Sequence, residues 1–140
     1  MLISFTVLGE PQGKGRPRFS RTANGKAITH TPEKTVLYEN LIVTEYRAQT
    51  KSTRFADDAM LRISVNAYYG IPSGVSKKKR ADMMSGIIRP TKKPDTDNVL
   101  KVVCDSLNKV AYRDDAQIVA ARISKYYSDR PRIEVSIQNI

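Results

Sequence analysis

The sequence has no tryptophan, a single cysteine, a single histidine and no long apolar run. Because Cys104 is the only cysteine, no intrachain disulfide and no cysteine-cluster zinc site can form, which fits a reducing compartment. No apolar stretch approaches the roughly 20 residues of a membrane-spanning helix. The opening MLISFTVLGE has neither the basic region nor the cleavage site of a signal peptide. We therefore expect a cytoplasmic protein with no membrane partner.

Acidic residues are also scarce, and this shortage is the unusual feature of the composition. The chain has 24 Lys and Arg against 14 Asp and Glu, a formal net charge of +10. Such a balance favours a polyanionic partner, and nucleic acid comes before an anionic membrane surface because no long amphipathic basic helix is evident. The length of 140 residues predicts one domain, residues 1–140, with a real hydrophobic core.

Local patterns in the first half predict a strand, a basic hairpin and a helix. Ile3, Phe5 and Val7 alternate with polar residues, which predicts a strand over residues 1–8. Asn24-Gly25 predicts the turn of a basic hairpin spanning about 18–31. Thr31 before Pro32 is typical of an N-cap followed by proline in the first helical turn, so a helix is expected over 32–50.

The second half predicts a strand, two helices and a closing pair of strands. Residues 59–70 alternate as a strand, and Ser76 and Gly86 bound a short, very basic helix. Helical spacing of apolar residues predicts a helix over 97–110. Two runs rich in β-branched residues, 116–128 and 132–140, are separated by DRP and predict an antiparallel pair. The expected fold is α+β, a small mixed sheet with helices packed on it.

One stretch, KKPDTDNVLK from Lys92 to Lys101, places two aspartates among basic residues. An aspartate at a helix start commonly accepts the free N–H groups of the first turn, which gives Asp95 and Asp97 an ordinary structural explanation. Lys101 lies four residues after Asp97, the spacing of an ordinary surface ion pair. These explanations stand beside a functional one.

The functional alternative draws in two later aspartates, Asp114 and Asp115. Asp95, Asp97 and one of that pair converge if the chain from Asp115 turns back into a strand beside the helix N-terminus. Crowded carboxylates repel one another, so such a cluster is typical of a bound cation. Magnesium suits the expected site, since it binds carboxylate and water oxygens and leaves positions for a phosphate.

The stretch DTDNVLKVVCDSLNKVAYRDDAQI, residues 95–118, resembles the motif of the RusA family, endodeoxyribonucleases that resolve Holliday junctions in bacteria and phages. The resemblance implies a RusA-like fold, with Asp95, Asp97 and Asp115 as the acidic catalytic residues and metal ligands. It implies a catalytic role for Lys101. Asn98, Asp105, Asp114 and Gln117 match motif positions of less certain role, and the resemblance makes Asn98, Asp114 and Gln117 candidates for residues around the metal ligands.

The resemblance implies a magnesium-dependent enzyme, with manganese as an alternative ion, that resolves branched DNA by paired nicks as a homodimer. The expected setting is DNA recombination and repair in a bacterium or a phage. Two alternatives remain open from the residues alone. One is a non-catalytic basic module that binds nucleic acid, with the aspartates as helix caps. The other is a magnesium nuclease that acts on flaps or ordinary duplex.

Three basic segments are candidates for DNA contact. GEPQGKGRPRF near the N-terminus is similar to the basic lead segment of some RusA family members; as a phosphate-binding loop it fails, because Lys14 is followed by Gly15. The run KKKR is commonly just a solvated face, and DNA contact is the functional alternative. The candidate DNA-binding residues are Lys14, Arg16, Arg18, Lys77, Lys78, Lys79, Arg80, Lys92 and Lys93.

Overall fold

The computed structural model describes residues 1–140 and contains one mixed four-stranded sheet and a separate hairpin. The strands in chain order are β1 (Leu2–Leu8), β2 (Arg18–Arg21), β3 (Ala27–His30), β4 (Leu61–Gly70), β5 (Ile118–Ser128) and β6 (Arg132–Asn139). The sheet order is β1-β6-β4-β5, and β2 pairs only with β3. Pairing is antiparallel for β1 with β6 and for β6 with β4, and parallel for β4 with β5.

Three helices complete the fold: α1 (Glu33–Thr50), α2 (Lys77–Met84) and α3 (Thr96–Ser106). A parallel pair of strands needs a long crossover, and here α2 and α3 lie between β4 and β5. None of the helices combines the length and the apolar character that crossing a bilayer demands. The result confirms the predicted α+β architecture.

The hydrophobic core lies between the sheet and the pair α1 and α3. Alternate residues of β1 and β4 are buried, as the period of two predicts. Helix α1 contributes Tyr38, Ile42 and Tyr46, and α3 contributes Val99, Val102 and Val103. Because the valines of α3 face the core, its polar residues Asp97 and Lys101 are left in solvent.

The predicted pairing of the last two strands is wrong, although both strands are present. Strand β4 lies between β5 and β6 and bonds to each of them. The link from Ser128 to Arg132 extends to about 13 Å, which spans the two strand spacings, about 10 Å, needed to pass the end of β4. Local sequence identifies a strand but not its neighbour.

Two helix boundaries also differ from the predictions. Helix α1 begins at Glu33 with Pro32 at the cap position, one residue later than the expected cap at Thr31. Helix α3 ends at Ser106, before the predicted Val110. Lys109 adopts a left-handed backbone with φ 63°, and its N–H donates to the carbonyl of Tyr112, so a turn replaces the last helical residues. The predicted cap at Ser76 is confirmed, since its hydroxyl accepts from Lys79 N at 3.2 Å.

Candidate active site

A polar groove of about 560 Å³ lies at the N-terminal end of α3. We call it the Asp95–Asp97 groove, and its lining residues are polar, charged or glycine apart from three prolines, Pro11, Pro32 and Pro94. Its basic residues come from the segment after β1, from the start of α1 and from the approach to α3: Lys14, Arg16, Lys34 and Lys93. Asn98 completes its floor. The groove therefore joins the aspartate motif to the N-terminal basic segment, which are far apart in sequence.

The carboxylates of Asp95 and Asp97 form no hydrogen bond and no ion pair within the protein. Asp95 occupies the cap position of α3 but makes no side-chain capping bond, and Asp97 follows in the first turn. Both side chains are exposed. The same chain contains two caps that do bond, Ser76 and Asp114, whose oxygens accept backbone N–H groups. The ordinary capping explanation therefore does not account for Asp95.

Tyr69 positions the start of α3 from beneath. This buried residue of β4 donates a hydrogen bond from its hydroxyl to the carbonyl of Pro94 at 2.6 Å, one residue before Asp95. Burial, with the nearby charge of Asp95, raises the pKa of Tyr69 to about 12, so the hydroxyl remains a hydrogen-bond donor even in alkaline solution. The sheet thus fixes the residue that leads into the aspartate motif.

Lys101 lies one turn beyond Asp97 on the same helix and is exposed. The three ion pairs in the fold join Lys14 to Asp105, Arg54 to Asp57 and Arg132 to Glu134, so Lys101 is in none of them. The surface ion pair with Asp97 that the spacing allows is therefore not formed. The ammonium group is free to meet an anionic ligand.

The C-terminal half of α3 is arranged differently. Asp105 forms a partly buried ion pair with Lys14, whose Nζ lies 2.6 Å from Asp105 Oδ2. The hydrogen bond to Asp105 raises the pKa of Lys14, and the charges of Glu39 and Asp115 act in the same direction. Lys14, which the sequence places among DNA-binding candidates, is thus already paired inside the protein.

Two glycines allow the N-terminal segment to pass between α1 and α3. A Cβ on Gly13 would lie 2.2 Å from Asn98 Nδ2, and one on Gly15 would lie 2.8 Å from Thr35 Oγ1. The backbone N–H of Gly15 donates to that same Thr35 hydroxyl at 2.8 Å. The glycines of GKG therefore allow close packing across the groove.

The expected convergence of Asp95, Asp97 and Asp115 is not present. No three Asp, Glu, His or Cys residues lie close enough to hold a metal ion together. The N–H of Asp115 donates to Asn108 Oδ1 at 2.8 Å, beyond the C-terminal end of α3. Strand β5 then runs back along α3, so it reaches the helix N-terminus only near Lys125, which donates to the carbonyl of Lys92. The direction of β5 separates Asp115 from the aspartate motif.

The carboxylate neighbours of Asp115 are Asp105 and Asp114. Burial raises the pKa of Asp115, and its closeness to those two aspartates raises it further. Asp114 and Gln117 form a reciprocal cap around the 3₁₀ turn at 115–117, and Gln117 also donates to the carbonyls of Ala56 and Ala59. These two side chains therefore hold the loop that carries Asp115.

The remaining DNA-binding candidates lie on exposed surfaces apart from the groove. Arg18 is on β2, and the run Lys77, Lys78, Lys79 and Arg80 opens α2, with every side chain exposed. Lys92 is exposed beside Lys93. Only Lys14, Arg16 and Lys93 of the nine candidates line the groove itself.

Sequence reasoning missed Lys34 and Thr35. Lys34 lines the groove, and buried Thr35 holds the segment that contains Lys14. A lysine in the first turn of a helix opposes the helix dipole, and this local conflict is the signal that points to a ligand-facing role. Thr35 gives no such signal, because its partner Gly15 is set by the tertiary packing.

The fold and the groove define a class: a small basic α+β protein that combines basic side chains with unbonded carboxylates, the kinds of group used in metal-assisted phosphodiester hydrolysis. A sequence model for the family described as Endodeoxyribonuclease RusA matches residues 9–138. The chain therefore belongs to the RusA endodeoxyribonuclease family, which supports a nuclease of the Holliday junction resolvase type. It is also 40% identical over 143 residues to "Uncharacterized protein YqaN" of Bacillus subtilis (strain 168), covering 99% of this chain and 96% of that protein.

Proposed function

We propose that this protein is a magnesium-dependent endonuclease that resolves four-way DNA junctions by paired symmetric nicks. The observation that carries the proposal is the Asp95–Asp97 groove, where two exposed, unbonded carboxylates lie among basic side chains. In a protein of net charge +10, a phosphodiester that enters the groove is attracted by the basic lining. Family membership supports cleavage of DNA rather than binding alone.

The donor set at the groove fits a magnesium ion. Magnesium is usually held by one or two carboxylates together with waters and substrate phosphates, and Asp95 and Asp97 are two carboxylates with no competing partner. Manganese prefers the same oxygen donors. Such an ion lowers the pKa of a water and stabilises charge on the phosphate. We propose Asp115 as a third acidic catalytic residue on the strength of the family motif alone, since its neighbours here are Asp105 and Asp114.

We propose separate tasks for the basic residues. Lys101 orients the attacking water, or neutralises the charge that develops on the phosphate or on the leaving oxygen, because its ammonium is exposed and unpaired. Arg16, Lys34 and Lys93 hold the scissile phosphate group in the groove. The exposed first turn of α2 binds DNA further from the cut. Asn98 fixes the segment that carries Arg16 by packing against Gly13.

Symmetric nicks in two strands require two active sites, and a two-fold homodimer is the simplest assembly that supplies them. We propose such a dimer, acting in DNA recombination and repair in the cytoplasm of a bacterium or in a phage-infected cell. The relative in Bacillus subtilis accords with that setting.

The test uses three labelled substrates of equal length: a four-way junction with a fixed branch point, a 5′ flap and a linear duplex. Each is incubated with the purified protein without divalent ion, with magnesium and with manganese. We expect cleavage of the junction alone, at symmetric positions in two opposing strands, and only with a divalent ion. Equal cutting of the flap or the duplex would show a nuclease without junction selectivity. Tight junction binding with no cutting in either ion would show a non-catalytic module.

A further inference from the structure

The β2–β3 hairpin, residues 18–30, has no packing partner in the fold. All four residues of each strand are exposed. The strands pair with each other in the register Phe19 to Thr29, and Ser20 Oγ lies 3.0 Å from His30 Nε2. A two-stranded hairpin by itself is only marginally stable in water. We therefore expect this hairpin to be held by a partner outside the chain's own core.

Phe19 is the most exposed large hydrophobic residue of the protein, with 79% of its surface accessible. It shares one face of the hairpin with Arg21, opposite Thr29 and Ala27. Single exposed hydrophobic side chains are common on protein surfaces and need no explanation. An aromatic ring next to an arginine on an unsupported hairpin is a more specific combination, because it offers a flat apolar surface and a cation together.

The charge of the segment that contains the hairpin indicates an anionic partner. Residues 11–32 contain five basic side chains and no acidic one: Lys14, Arg16, Arg18, Arg21 and Lys26. Two copies of this all-basic segment repel each other, so contact between the two hairpins is disfavoured even in the proposed dimer. A nucleic acid attracts the segment and also presents flat bases to the ring.

The position of the hairpin relative to the groove indicates which part of a bound DNA it contacts. Gly13 to Arg16 line the Asp95–Asp97 groove, and β2 begins two residues later at Arg18. Pro32, which follows the hairpin in the chain, also lines the groove, so the hairpin projects from the rim of the groove. Bases near a phosphate held in the groove are therefore within reach of the hairpin.

We propose that the hairpin is a DNA-binding arm and that Phe19 stacks on a base exposed at the branch point of a junction. This inference rests on the proposed function and deepens it by naming a residue for branch recognition. Bases of a continuous duplex are paired and stacked, so they offer no free face to the ring. A branch point exposes base faces at much lower cost, and an inserted apolar side chain takes the place of the lost stacking. Phe19 is then a selectivity residue that leaves affinity for linear duplex nearly unchanged.

The experiment measures binding without divalent ion, so that the substrate stays intact. A four-way junction carries the fluorescent base 2-aminopurine at the branch point, and a linear duplex carries it at a central position. The variants are Phe19→Ala, Phe19→Leu and Phe19→Trp, and Leu37→Ala on α1 is the matched control, because Leu37 is also an exposed apolar residue, 62% accessible. Melting temperature and sedimentation report folding and oligomeric state for each protein.

We expect Phe19→Ala to lower junction affinity at least about fivefold, as loss of one base–aromatic stack does. Duplex affinity should stay within about twofold, since phosphate contacts dominate there. The fluorescence change at the branch should be lost in Phe19→Ala and Phe19→Leu and kept in Phe19→Trp, and Leu37→Ala should resemble the wild type. This pattern identifies the ring itself as the recognising group.

Two results overturn the inference and leave the proposed function intact. One is junction affinity and branch fluorescence in Phe19→Ala equal to those of a junction-selective wild type. The other is a shift of Phe19→Ala from dimer to monomer, which makes the hairpin a subunit contact. If the wild type itself neither prefers nor cuts the junction, the proposed function fails, and branch recognition by Phe19 fails with it.

Discussion

The two ends of α3 carry aspartates in opposite circumstances. At the N-terminal end Asp95 and Asp97 are exposed and unbonded, and the helix dipole favours their negative charge. At the other end Asp105 is partly buried and paired with Lys14 at 2.6 Å, next to Asp115. Asp97 and Asp105 are separated by two helical turns, about 12 Å along the axis. One end presents charge to solvent, and the other uses its charge to hold the fold together.

The fold therefore gives aspartates of one helix two different roles, depending on whether the carboxylate is paired. A paired carboxylate contributes to stability and is costly to remove, whereas an unbonded one contributes little and is available to a ligand. Among the aspartates of α3 itself, function should therefore be sensitive at Asp95 and Asp97, and stability should be sensitive at Asp105. The following substitutions test that division.

The largest effect is expected from Asp97→Asn. Loss of the carboxylate that we propose as a ligand of the divalent ion should lower single-turnover cleavage of a four-way junction by on the order of 100-fold or more. Junction binding should be unchanged or tighter, because one negative charge leaves a groove that meets phosphates. Asp58→Asn, on an exposed loop, is the control. If Asp97→Asn cleaves at the wild-type rate, Asp97 is not catalytic and only favours the start of α3.

Lys101→Met should have the next largest effect. Because Lys101 forms no ion pair, the substitution should leave the melting temperature unchanged. Loss of a positive charge near the attacked phosphate should slow cleavage by on the order of 100-fold at saturating magnesium. Lys51→Met at the end of α1 serves as control. If Lys101→Met cleaves within about threefold of the wild type, Lys101 is an ordinary surface residue.

Removing the Lys14–Asp105 ion pair should change the free energy of unfolding more than the cleavage rate. In a double-mutant cycle of Lys14→Met and Asp105→Asn, we expect a coupling of about 1 kcal/mol in the free energy of unfolding, since the pair is only partly buried. The same cycle on Arg54 and Asp57, an exposed pair at 3.4 Å, should give a coupling near zero. Equal coupling in the two cycles would show that the Lys14–Asp105 pair stabilises the fold no more than an exposed ion pair does.

The smallest effect on stability is expected from Asp115→Asn, and it should depend on pH. Burial and the nearby Asp114 and Asp105 raise the pKa of Asp115, so the folded protein holds this carboxylate ionised less readily than the unfolded chain does. Ionised Asp115 therefore destabilises the fold at neutral pH, and Asp115→Asn should raise the melting temperature there. The gain should shrink as pH falls through the folded pKa of Asp115, because the wild-type carboxyl becomes neutral too. A pH-independent difference between the two melting curves would contradict this account.

The elements of the fold were largely predictable, and their arrangement was not. The alternation in β1 and β4 and the turn at Asn24-Gly25 act locally, so each element could be identified. The insertion of β4 between β5 and β6 depends on packing across the whole sheet, and DRP is long enough for either arrangement. A short connection between two strands indicates that they are near each other, but a third strand can still separate them.

The site shows the same limit. The aspartate motif and the exposure of Lys101 follow from the helical spacing of α3, which was predictable. The distance of Asp115 from that motif depends on the direction of β5, and the partner of Lys14 depends on how the N-terminal segment crosses α3. Both features depend on tertiary contacts between residues far apart in sequence, so no local sequence pattern predicts them.

The pairing of β1 with β6 has a consequence for the timing of folding. Leu2 pairs with Gln138, and the segment that lines the groove follows β1 directly. Contacts between such distant residues form slowly, because a long loop must close, at a cost in chain entropy, before the contacts can stabilise the fold. We therefore expect the Asp95–Asp97 groove to assemble late in folding, so that an incomplete chain has the aspartates without the groove around them. Pulse-labelling hydrogen exchange should show the amide of Gly15 becoming protected together with those of β1 and β6, and after those of α3.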